Sequence, residues 1–238
     1  MADALRASIE SRDLPPGAQL PPESRLVADY GVSRVTARRA LSVLVTEGLV
    51  TAEHGRGWFV RRQPPVRRLS SDRFAHRSEG KAAFTVDMEA GNRAFTVDVL
   101  FVGRGSVPPG VAERLLLEPE ADAIIRRCRY LAEGQPIELA TSYIPLDIAE
   151  DTPIAEANPG PGGIYARMED KGFVFERYDE EVTARMPSGE ESRALSLSPG
   201  SPVIHLVRTA VASGRAVEVC DTVMDAAAFV LHYRLPVS

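Results

Sequence analysis

Apolar positions near the start of the chain recur at helical spacing. Leu5 and Ile9, with the small Ala4 and Ser8, predict a helix over residues 4–12, which Leu14-Pro15-Pro16-Gly17 ends. Pro21-Pro22-Glu23 opens a second helix, because proline suits a first turn and a glutamate complements the positive helix terminus. That helix is expected to bury Leu26, Val27 and Tyr30. Gly31 turns the chain, and Ser33 caps a third helix that runs to about Glu47. On this helix Ala37, Ala40, Leu41 and Leu44 fall on one arc, while Val35, Arg38, Arg39, Ser42 and Thr46 fall on the other. Two short strands around Thr51-Ala52 and Trp58-Phe59-Val60 flank the turn His54-Gly55-Arg56-Gly57.

Residues 61–68 are polar, proline-bearing and without period, as a connector would be. The division read from the sequence is residues 1–62, a connector over 63–75, and a second domain over 76–238. In the second domain the period changes to strand-like runs at 94–103, 123–132, 136–145, 173–186, 201–212 and 215–224. Glu133-Gly134-Gln135 and Ala212-Ser213-Gly214 mark two hairpins. Helical segments fall near 111–117, 163–171 and 188–195. Many strands with few helices predict an α+β domain on an antiparallel sheet.

Charge divides the chain in the same place. Residues 1–68 balance at +4 and residues 69–238 at −9, within a net charge of −5, so a polyanion would meet one end only. No run approaches the roughly 18 apolar residues that a membrane helix needs, and the first residues lack a signal-peptide core. Cys128 and Cys220 sit in no metal-type spacing. They are expected to be free thiols packed in a cytoplasmic protein, with no metal and no cofactor.

The third helix has the division of labour that a DNA-reading helix needs, one face anchored and one presented to the major groove. Arginine can bond guanine bidentately, and the methyls of Thr and Val can meet thymine. Ser33 and the free amides at the helix start suit a phosphate. The glycines of the 54–57 turn let backbone approach the sugar-phosphate wall, with Arg56 available for the minor groove. The motifs Pro-Gly-x-x-Leu-Pro, Gly-Val-Ser-Arg-x-Thr-x-Arg-x-Ala-Leu, Glu-Gly-Leu-Val and Gly-x-Gly run through residues 4–60 and resemble the GntR family of bacterial regulators. The resemblance implies a winged helix-turn-helix in which Ser33, Arg34, Thr36 and Arg38 contact double-stranded DNA, with His54 and Gly55 at the wing tip. Arg39 and Arg56 are further candidates. It also implies several more residues ahead of the first helix.

In the second domain Arg127 and Arg129 stand at i, i+2, so both could clamp a carboxylate or phosphate from one strand face. Gly160-Pro161-Gly162-Gly163 precedes a helix and would offer free amides to an anion. Tyr165 starts that helix, and Glu218 interrupts an otherwise apolar strand. RRCRYLAEGQPIELATSYIP, GPGGIYARMEDKG and the stretch from Glu180 to Val219 resemble the UTRA sensor domain of the HutC branch of GntR regulators, over about residues 93–236. This implies a chorismate-lyase-like fold, a homodimer and a small-molecule effector, and the arginine pair and glycine-loop amides suit an anionic one. Two departures bear on the effector. Gly163 replaces a serine that many sugar-phosphate sensors of this branch carry, and Ala140 replaces a glutamate, with Glu138 two residues earlier on the same face. The candidate effector residues are therefore Arg127, Arg129, Glu138, Gly162, Gly163, Tyr165 and Glu218. The function expected is a DNA-binding regulator, a repressor acting at a palindromic operator and tuned by the effector. The alternative is a lyase-like enzyme with an appended DNA-binding domain, although the sequence offers no nucleophile-and-base order for it.

Overall fold

A computed structural model of the protein describes residues 1–53, 55–61, 65–69 and 79–234. The chain forms two compact units, Met1–Pro65 with Leu197–Ser201, and Val66–Ser196 with Pro202–Ser238.

The first unit holds α1 (Ala2–Glu10), α2 (Glu23–Tyr30), α3 (Arg34–Thr46) and the antiparallel pair β1 (Val50–Glu53) and β2 (Gly57–Val60). Leu5, Leu20, Leu26, Leu41, Leu44, Val50 and Val60 pack as its core, one or two side chains from each element. Gly31 ends α2 in the left-handed region at φ +63°, which lets α3 start within three residues. Tyr30, expected inside, is exposed. It is the last residue of α2, where the apolar face has already run past Leu26, the buried residue of that helix.

The second unit is built on a six-stranded antiparallel sheet of order β4-β5-β6-β9-β8-β7. Its strands are β4 (Phe95–Ser106), β5 (Asp122–Ala132), β6 (Gln135–Pro145), β7 (Phe175–Arg185), β8 (Val203–Ala212) and β9 (Arg215–Asp225). The two expected hairpins form because both turn residues of each take positive φ: Glu133 and Gly134 at +51° and +75°, Ser213 and Gly214 at +49° and +78°. Helices pack on both faces of the sheet. α6 (Leu146–Ala149), the 3₁₀ turn Pro153–Ala155 and α7 (Gly163–Asp170) bury Ile148, Ile154, Tyr165 and Met168 against Ile124, Ile144 and Ala210. On the opposite face α5 (Pro109–Leu115) sets Val111, Ala112 and Leu115 against Ala123 and Val219. α4 (Ala83–Ala90) and α8 (Gly189–Ala194) complete the helices.

The connector expected over 63–75 is corrected in its described part. Residues 66–69 form β3 (Val66–Leu69), paired in parallel with β10 (Phe229–His232) near the other end of the chain. Val66 is buried with Phe84, Met88, Ala228 and Phe229, so burial of this side chain outweighs the polar composition around it. The rest of the expected connector lies outside the described residues, apart from Pro65. Among the described residues no helix is long and apolar enough to cross a membrane.

Candidate functional site

In the first unit the exposed face of α3 carries Arg34, Val35, Thr36, Arg38, Arg39, Ser42 and Thr46, while Ala37, Leu41 and Leu44 are fully buried. The Ser33 hydroxyl accepts a hydrogen bond from the Thr36 amide at 3.1 Å, and the two hydroxyls lie 2.9 Å apart. This cap fixes the first turn of α3 and leaves both hydroxyls at the surface. Arg38 is exposed but not idle: its Nε donates to Glu23 of α2 at 2.9 and 3.1 Å. Gly55 and Gly57 shape the β1–β2 turn at φ +72° and +110°. The Arg56 guanidinium sits 5.4 Å over the Phe59 ring, and the Gln19 amide donates to the Arg56 carbonyl at 2.7 Å. His54 lies outside the described residues. The face thus gathers Ser33, Arg34, Thr36, Arg38 and Arg39 on one helix, with Gly55 and Arg56 at the turn of the hairpin that follows it.

The second unit holds a partly open cavity of about 510 Å³. Strand alternation sends one set of side chains into it: Arg126, Cys128 and Tyr130 from β5, Glu138, Ala140 and Ser142 from β6, Glu218, Cys220 and Thr222 from β9, and Arg208 from β8. The register aligns them, with Arg126 opposite Ser142, Ser142 opposite Cys220 and Cys220 opposite Arg208. The 157–165 segment, α4 and β4 contribute the remaining wall.

At its floor Glu218 is held through both oxygens. Ser142 Oγ donates to Oε1 at 2.6 Å and the Tyr165 hydroxyl donates to Oε2. Arg208 Nε donates to the same hydroxyl at 3.1 Å, and its Nη2 lies 3.5 Å from Glu218 Oε2. Burial pulls on the Arg208 charge, but its acidic surroundings, with the Glu218 and Glu180 carboxylates among them, outweigh that and hold the guanidinium protonated. Burial pushes the Tyr165 hydroxyl far above the usual phenol range, so it stays a neutral donor. Burial likewise raises the thiols of Cys128 and Cys220, which keeps them protonated and packed. Arg126 is pinned the other way. Its Nη1 donates to the carbonyls of Ile154 and Glu156, and its Nη2 to that of Ala157 at 3.1 Å.

Glu138, Gly162, Gly163, Tyr165 and Glu218 therefore come together as anticipated, whereas Arg127 and Arg129 do not line the cavity. They project from the opposite face of β5, Arg127 toward Glu190 at 3.6 Å and Arg129 onto Asp98 at 2.7 Å. The parity was off by one: Arg126 is the inward arginine. A lone charge between Ile124 and Cys128 on a buried strand face was its signal. Arg208, between Leu206 and Ala210, gives the same signal on β8. The glycine loop also differs from expectation. Gly160 donates its amide to Asn158 Oδ1, Gly162 to the Gly80 carbonyl and Gly163 to the Gly160 carbonyl, so these amides shape the loop and tie it to the segment before α4. Gly163 sits at φ +70°, a conformation a serine would adopt only under strain. Among the described residues no group of three His, Cys, Asp or Glu gathers that could hold a metal ion.

Comparison with known proteins covers both units. Residues 1–60 match the gntR family of bacterial regulatory proteins, and residues 90–230 match the UTRA domain. The chain is 36% identical over 218 residues to an HTH-type transcriptional regulator of Streptomyces coelicolor, covering 88% of this chain and 81% of that one. It is 28% identical over 222 residues to the mannosyl-D-glycerate transport/metabolism system repressor MngR of Escherichia coli K12, covering 92% and 87%. The crystal structure of PhnF from Mycobacterium smegmatis shares the fold, with a TM-score of 0.65 over 100% of this chain and 99% of that one at 17% identity.

Proposed function

Because the chain belongs to the GntR family of bacterial regulatory proteins and carries a UTRA domain behind its helix-turn-helix, we propose that it represses transcription as a homodimer on a palindromic operator, and that a small molecule in the cavity sets its operator affinity. The observation that carries this reading is the buried Arg208–Tyr165–Glu218 arrangement at the floor of a 510 Å³ cavity. Burying these ionised groups costs free energy, which fits a site kept for a ligand.

The cavity is read as a receptor and not as a catalyst. Glu218 is engaged at both oxygens and Tyr165 is held protonated by burial, so neither is poised to take a proton. The homodimer reading draws on β4. It is an edge strand, and its Leu100 and Phe101 are about half exposed, which is apolar surface that a second copy would cover. One winged helix reads a short half-site, so two related by a twofold axis match a palindrome. On this reading Ser33, Arg34, Thr36, Arg38, Arg39 and Arg56 make the DNA contacts, and the protein acts in the cytoplasm.

The test is a thermal-shift screen of metabolites on the full chain, followed by operator binding with each stabilising compound, since a ligand that binds only the folded state raises apparent stability. A compound that both stabilises the protein and changes operator affinity supports the reading. Stabilising compounds that leave operator affinity unchanged would overturn it.

A further inference from the structure

The hydrogen-bonding capacity inside the cavity is unevenly spent. The charged and loop donors are engaged: Arg126 by three carbonyls, Arg208 by Tyr165 and Glu218, Tyr165 and Ser142 by Glu218, and the Gly160, Gly162 and Gly163 amides by Asn158, Gly80 and Gly160. One acceptor is not. Glu138 is 5% exposed and lines the cavity, and its Oε2 is buried without a hydrogen-bond partner. A buried carboxylate oxygen left unpaired is costly, so an occupant able to donate to it gains what the empty protein forgoes.

The surroundings of Glu138 narrow the donor. Tyr130 stands directly opposite it in the β5–β6 register, and Phe84 packs on Tyr130 with ring centroids 4.6 Å apart. Both rings line the cavity, as do Val97 and Val99. A carboxylate beside aromatic faces suits a compact positive charge, which the ring quadrupoles and the carboxylate attract together. The Glu138 carboxylate itself repels an anion at this end of the cavity.

Resting on the reading that this cavity holds the effector, we propose that the effector carries an amine, with its ammonium group on Glu138 and its apolar part against Phe84, Tyr130, Val97 and Val99. The anionic effector that the sequence suggested loses Arg127 and Arg129, which point away, while the inward Arg126 and Arg208 are engaged with backbone carbonyls and with Tyr165 and Glu218.

The test uses one skeleton in three charge states. Benzylamine, benzyl alcohol and benzoate are titrated into the full chain and followed by NMR. Benzylamine should bind about tenfold or more tightly than benzoate, as one charge-assisted hydrogen bond implies. Glu138→Gln should remove that preference, while Glu118→Gln, an exposed control, should keep it. Glu138→Gln should also leave the thermal midpoint unchanged or raise it, because no partner is lost. Preference for benzoate, binding by none of the three at millimolar concentration, or a preference that survives Glu138→Gln would each overturn the amine assignment. None of these results touches the effector reading, which instead falls if stabilising compounds leave operator affinity unaltered.

Discussion

Arg68 Nη2 lies 2.9 Å from Glu180 Oε1, and the two side chains are 1% and 6% exposed. The pair fastens β3 to the edge strand β7, and the Tyr233 hydroxyl donates to the other Glu180 oxygen at 3.0 Å. β3 begins at the residue after Pro65, with which the main segment of the first unit ends. Val66 of β3 packs in one cluster with Phe84, whose ring borders the cavity. A strand leading out of the DNA-binding unit is thereby locked into the core beside the ligand space.

Removing one partner of a buried ion pair leaves the other charge unpaired at a cost of about 3–5 kcal/mol. Arg68→Ala should lower the stability of the second unit by that order. In urea, the transition seen by circular dichroism should move to lower concentration. The fluorescence of Trp58, the single tryptophan and a residue of the first unit, should move less. An unchanged dichroism transition would contradict the structural role of the pair.

Much of this architecture was legible in the chain. The six long strands were legible because each is a strand-like run of about ten residues, and because Glu133-Gly134 and Ser213-Gly214 are turns that fix hairpin register locally. What escaped was non-local or masked by charge. β3 reads as a connector because its pairing partner β10 lies some 160 residues away and two of its four residues are arginines. α4 was missed because Thr85 and Val86 sit in a short segment with little helical signal. The cavity's inward arginine was misassigned because Arg126, Arg127 and Arg129 crowd one strand, and only pairing with β6 decides which of them face inward. On α3, a single helix face was enough.

Glu191 gives a pH prediction. Arg185 binds its carboxylate at 2.7 Å through both oxygens, and Ser188 completes a capping box, which together hold its pKa down to about 2 from 4.5. A pKa lowered by folding stabilises the native state fully above the unfolded value, and that contribution is lost as pH falls from about 4.5 toward about 2. Glu191→Gln lacks it. The drop in urea midpoint between about pH 6 and about pH 3 should therefore be smaller in the variant than in the parent. Equal drops would show that the pair contributes nothing.

If Arg38 contacts DNA as proposed, Glu23 competes with DNA for its guanidinium. The ion pair between them is exposed and so worth little, but it holds the guanidinium on the protein. Glu23→Gln should release it and remove a negative charge, raising affinity for operator and random DNA alike. Arg38→Ala should cost about 1–3 kcal/mol at particular base positions if it reads a guanine edge. Equal losses on operator and random DNA, measured by anisotropy at fixed salt, would make Arg38 a phosphate contact instead.

On the proposed function the cavity and the DNA-reading face are coupled through two arrangements of one protein. Coupling between two binding sites is reciprocal, so each ligand must change the other's affinity by one common factor. The decisive measurement takes the compound giving the largest thermal shift and determines its Kd with and without saturating operator, and the operator Kd with and without saturating compound. Two equal ratios, both different from one, are expected, and Glu218→Ala should keep operator binding in the absence of compound and bring both ratios toward one. Ratios of one in the parent protein would contradict the coupling.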